Sequence, residues 1–155
     1  MRILWLKTEL LHPVDKGGKI RTYQMLREMK RRHHITYLTL DETPGDRFAH
    51  EQASEYCHEL ICVPHRVEDK FTARFYAELA QNVVSPLPYF IQKYRSSAMA
   101  RRIASALCEN KPDLLVCDFL QPSVNMPDRM PCPSVLFQHN VEAMIWQRHY
   151  EVQAN

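Results

Sequence analysis

The sequence predicts an α/β domain: a mostly parallel sheet flanked by helices. Two observations carry this. Short runs rich in apolar and β-branched residues alternate with stretches of helical spacing along the whole chain, and that order builds parallel sheets through right-handed crossovers. The chain has 155 residues, 45% hydrophobic and 25% charged, which suits one domain with a sizeable core. It shows no internal repeat and no low-complexity tract.

Taken in order, residues 2–7 (Arg2-Ile3-Leu4-Trp5-Leu6-Lys7) read as a buried strand. A loop carrying Gly17-Gly18 follows. Tyr23, Leu26 and Met29 then keep helical spacing from Lys19 to about Arg32. Ile35 to Leu40 is a second strand, and Asp41-Glu42-Thr43-Pro44-Gly45 a turn cluster. Residues 46–57 predict a short helix, 59–64 a third strand, and 69–81 a further helix that Ser85-Pro86-Leu87-Pro88 stops. One long helix is expected from Tyr89 to Glu109. Leu114 to Cys117 reads as the fourth strand. Residues 118–133 are irregular, with Pro122, Pro127 and Pro131 inside them. Ser134 to Phe137 is the fifth strand, and a helix from Val141 to Glu151 follows, with Asn140 placed to cap it.

The net charge of +2 is too small to imply a nucleic-acid partner. Cys57, Cys62, Cys108, Cys117 and Cys132 are odd in number and form no CxxC, so reduced thiols are expected and not a disulfide framework or zinc site. His33-His34 end a helix with no third ligand in view, and no metal is expected. No run approaches the ~20 apolar residues of a membrane span. A cytoplasmic protein is the default expectation.

In sheets of this kind the ligand crevice lies beyond the C-terminal strand ends, near the switch point. Residues 8–18, 118–127 and 138–142 should meet there. Gly17-Gly18 matches neither GxGxxG nor GxxxxGK[ST]. Paired glycines at a helix start can nonetheless admit an anion to backbone N–H groups, with Lys19 and Arg21 adding charge; alternatively they only shape a surface turn. His139 can meet a hydroxyl or bond the neighbouring loop. Asp118 can bind a hydroxyl or cap its segment. Cys117 lacks a base partner and reads as core. Lys93, Arg95, Arg101 and Arg102 make one helix basic, with Tyr89, Phe90 and Tyr94 at its start. It reads as a solvated face or as a contact with an anionic membrane surface.

Pro13, Gly17, Gly18 and Arg21, then Lys111-Pro112-Asp113-Leu114-Leu115-Val116, then Gln138-His139-Asn140-Val141-Glu142, together resemble the N-terminal domain of family 4 glycosyltransferases of the GT-B fold. The similarity is to bacterial sugar transferases of exopolysaccharide-type pathways, with Trp146 and Arg148 in the helix after the corner. It spans essentially the whole chain. It implies a Rossmann-like domain acting in retaining transfer from a nucleotide-diphosphate sugar to a glycan or lipid-linked acceptor, without metal or other cofactor. It implies that Gly17, Gly18 and Arg21 approach the donor diphosphate. His139 would lie against the donor sugar, its backbone carbonyl near the anomeric carbon. Asp118, Asn140 and Glu142 are candidate sugar or acceptor contacts.

The family's second domain, with its basic pair and Glu-x7-Glu motif, has no counterpart in these residues. The expectation is therefore a single acceptor-side domain, truncated before the donor-binding domain and inactive alone. Two competing readings stand beside it. One is a flavodoxin-like module binding another phosphate ligand. The other is a non-catalytic interaction domain.

Overall fold

The computed structural model is described for residues 1–42, 46–138 and 142–153, the last segment by its backbone and some of its side chains. Five strands form one sheet: β1 (Arg2–Lys7), β2 (His34–Asp41), β3 (Glu59–Pro64), β4 (Leu114–Asp118) and β5 (Ser134–Phe137). Their order is β3-β2-β1-β4-β5, and every neighbouring pair is parallel. The expected α/β architecture is therefore the observed one. The chain builds outward from β1 to β3, returns, and builds the other way through β4 and β5. The switch point falls between β1 and β4.

The helices are α1 (Gly17–Lys30), α2 (Arg47–Gln52), α3 (Ala73–Asn82), α4 (Tyr89–Gln92), α5 (Ser97–Glu109) and α6 (Glu142–Gln153). Strand side chains alternate between faces. Ile3, Trp5, Ile35, Tyr37 and Val116 accordingly pack on one side with Leu26 of α1 and with Ala53 and Tyr56 after α2. Leu4, Leu6, Leu38, Leu40, Leu115 and Cys117 pack on the other with Met99, Ile103 and Ala106 of α5. Both faces of the central strands are thus dry, as their unbroken apolar runs require. β5 differs: Val135 and Leu136 point to opposite faces, and they are 48% and 50% exposed.

One expected element is corrected. Tyr89 to Glu109 is not a single helix but α4 and α5, separated at residues 93–96. Ser96 accounts for the break. Its extended backbone and its hydroxyl, which accepts from the Met99 N–H at 3.2 Å, start a new helix. Asn125 reinforces the junction: its Oδ1 accepts from the Ser96 N–H at 2.7 Å, and its Nδ2 donates to the Tyr94 carbonyl at 2.8 Å. The basic residues are divided accordingly, with Arg101 and Arg102 exposed on α5 and Arg95 exposed ahead of it. Tyr89 and Tyr94 are partly covered. Exposed apolar side chains gather instead around α3, at Phe71, Tyr76, Leu79, Val83 and Val84. No helix among the described residues is long and apolar enough to cross a membrane.

Candidate functional site at the switch point

The loop after β1 leads into α1, whose inward stripe is Gly18, Thr22 and Leu26, four residues apart each time. Gly18 lies against the Phe119 ring; a Cβ there would be 3.3 Å from the ring tip. Thr22 is fully buried, and its hydroxyl donates to Asp118 Oδ2 at 2.7 Å. A β-carbon at Gly17 would meet nothing within 4 Å. Gly17 and exposed Arg21 are also four apart, so they share a neighbouring, outward stripe. Lys16 precedes the helix without a side-chain cap, and the first turn carries no acidic residue. Half of the diglycine is thus consumed by packing, and the other half faces open space.

The hydroxyl that Asp118 meets in this structure is that of Thr22. Asp118 is wholly buried, and besides Thr22 its Oδ2 accepts from Lys7 Nζ at 2.8 Å and Trp5 Nε1 at 3.1 Å. The Lys7 side chain is 2% exposed. Its ammonium also lies 4.7 Å from the centre of the Phe119 ring, within cation–π range. Phe119 itself adopts φ 70°, a left-handed backbone that costs a non-glycine residue about 1–2 kcal/mol. Its N–H donates to the Phe137 carbonyl at 2.8 Å and extends the β4–β5 ladder. Cys117 is buried as expected, and burial pushes its thiol up to about 12.

The switch point is therefore tied together by a polar core under the rim. Lys7 closes β1, Asp118 closes β4, Thr22 comes from α1, and Phe137 ends β5 in register with Asp118. An ion pair withdrawn from water is sustained only by close geometry and additional hydrogen bonds, and both are present. Sequence reasoning missed Lys7 and Thr22. The available signal was a lysine and an aspartate each ending an apolar run, but it has meaning only once β1 and β4 are known to be neighbours.

Of the other expected site residues, His139 and Asn140 lie outside the described residues, so their place on the rim does not enter the geometry. Glu142 opens α6, and its side chain lies outside them as well. A polar cavity of about 440 Å³ lies elsewhere, lined by His65, Arg66, Glu78, Tyr89 and Lys93 among others. Among the described residues, one group brings metal-type donors together: Asp41, His50 and Cys62.

The sheet order and the rim at the β1–β4 crossing define an α/β domain of Rossmann-like class. Comparison with family models, curated proteins and solved structures returns no match.

Proposed function

We propose that this chain supplies the acceptor-side half of a retaining sugar-transfer site, taking a nucleotide-diphosphate sugar at the rim between β1 and β4. The observation that carries the reading is Gly17. It opens α1 directly at the switch point, with open space where a side chain would be. A diphosphate there would meet the N–H groups of the first turn and the positive end of the helix, with Arg21 on the same stripe. Asp118 acts as scaffold in this reading, since it holds the helix start against β4 and contributes no donor or acceptor to solvent. His139 is proposed to meet the donor sugar, where a carbonyl dipole would favour oxocarbenium character. The acceptor is proposed to be a glycan or lipid-linked hydroxyl. Peripheral contact with an anionic membrane is part of the proposal, resting on exposed Arg95, Arg101 and Arg102.

The test is a titration of the ¹⁵N-labelled chain with UDP- and GDP-sugars. Weak binding with shifts confined to the amides of 16–21 and 138–142 is expected. Shifts clustered at the cavity near Lys93, or none at millimolar ligand, would overturn the reading. Transfer of sugar by the isolated chain would overturn its half-site form. A second reading, an interaction domain, is favoured by β5, where Val135 and Leu136 are each about half exposed. Co-purification of a fixed partner that protects Val135 and Leu136 would support it.

A further inference from the structure

A separate cluster lies at the far side of the sheet, where β2, α2 and β3 meet. Asp41 ends β2, Cys62 lies within β3, and His50 sits on α2 between them in sequence. The strand register explains why they converge. Thr39 pairs with Cys62 and Asp41 with Pro64, so Asp41 and Cys62 occupy the sheet face that α2 covers. His50 Nε2 lies 2.9 Å from Asp41 Oδ2, and the three donor atoms are all within 4.8 Å of one another. Asp41 is buried, Cys62 is half-buried, and the His50 side chain remains 36% exposed. His50 also lines a hollow of about 190 Å³ with Asp46, Arg47 and Glu51, which leaves the imidazole reachable from solvent.

We propose that Asp41, His50 and Cys62 form a site for a zinc-class divalent cation. The donor set is one carboxylate oxygen, one imidazole nitrogen and one sulfur, the mixture that zinc and cobalt prefer and that magnesium and calcium do not. Ligand bonds of about 2.0–2.3 Å place neighbouring donors roughly 3.3–3.8 Å apart. With all donors already within 4.8 Å, the widest pair needs to close by no more than about 1.5 Å, while the 2.9 Å His50–Asp41 pair opens slightly. On binding, the Cys62 S–H bond breaks, its proton passes to solvent, and the sulfur pair forms the bond to the metal. His50 takes the Nδ1–H tautomer and donates the Nε2 pair, and Asp41 donates an oxygen pair. Water completes the fourth position. The site is independent of the sugar-transfer reading, because it shares no residue with the rim at Gly17.

The experiment uses the reduced full chain, stripped by a chelator and titrated with Co²⁺ and then Zn²⁺. One equivalent of Co²⁺ should give a near-ultraviolet thiolate-to-cobalt charge-transfer band with visible bands of tetrahedral intensity, and Zn²⁺ should abolish both. Cys62→Ser should remove the charge-transfer band, while His50→Ala should weaken binding by at least ~10-fold. His50 is partly exposed, so its variant keeps the test decisive even if Cys62→Ser folds poorly. Binding by Cys57, Cys108, Cys117 or Cys132 would survive in both variants and would overturn the proposal. So would the absence of any band at millimolar Co²⁺.

Discussion

Lys7 and Asp118 meet at 2.8 Å beneath the switch point, with 2% and 0% of their side chains exposed. The pair joins the C-terminal ends of adjacent strands, and Thr22 brings the glycine-bearing helix onto the same carboxylate oxygen. Removing Asp118 would leave a buried ammonium without its counter-charge. Asp118→Ala is expected to lose about 3–5 kcal/mol in urea unfolding. Asp118→Asn should lose less, because it keeps an acceptor for Trp5 and Thr22. Combined with Lys7→Met, Asp118→Ala should fall short of additivity by about 1–3 kcal/mol. Additive losses would show that the two side chains do not act as a pair.

The two glycines should separate packing from ligand approach. Gly17→Ala adds a methyl into open space at a helix start, so stability should hold or rise by up to about 1 kcal/mol. Gly18→Ala puts its Cβ 3.3 Å from Phe119, and Phe119 is held by its own strained backbone. It should be the less stable of the two by chemical denaturation. If a diphosphate uses the open side, Gly17→Ala should nonetheless erase the amide shifts caused by nucleotide sugars. Equal stabilities would sink the packing half of this account.

Lys111 adopts φ 42° just past the end of α5, where a left-handed residue closes a helix and glycine is the usual occupant. Its side chain is exposed. Lys111→Gly relieves a cost of about 1–2 kcal/mol and gives back part of it as unfolded-chain entropy. A net gain of about 0.5–1 kcal/mol should appear as a higher denaturation midpoint at unchanged m-value.

His58 carries a pH dependence of definite sign. Its Nδ1 accepts from the Ile35 N–H at 3.1 Å, and its ring stacks on His34 at 4.8 Å. Burial first, then His34 and Lys30, hold its pKa below the ordinary 6.5. The unfolded chain therefore takes up the proton first as pH falls, and the folded state loses stability from about 6.5 downward. The loss is complete once pH has passed below the folded pKa. His58→Asn keeps an acceptor for Ile35 and cannot titrate. The difference between wild-type and variant unfolding free energies should vary across this window and be flat above it. A difference that does not vary with pH would exclude His58 as the titrating group.

The sequence by itself determined the strands, the parallel topology class and the placement of the glycines at a helix start. These are local matters: apolar runs, helical spacing and turn residues speak for the segments that contain them. The break at Ser96 was also local, but the helical composition on either side concealed it. Tertiary structure alone decided the chemistry of the rim and of the β2–β3 end. Asp118 lies 111 residues from Lys7 in the chain, and Asp41, His50 and Cys62 come from three successive elements, so their meaning depends on which strands are neighbours. Asp118 shows the physical reason. A carboxylate after a strand is ordinarily solvated, and it became a buried scaffold because the adjacent strand delivers a lysine to the same depth.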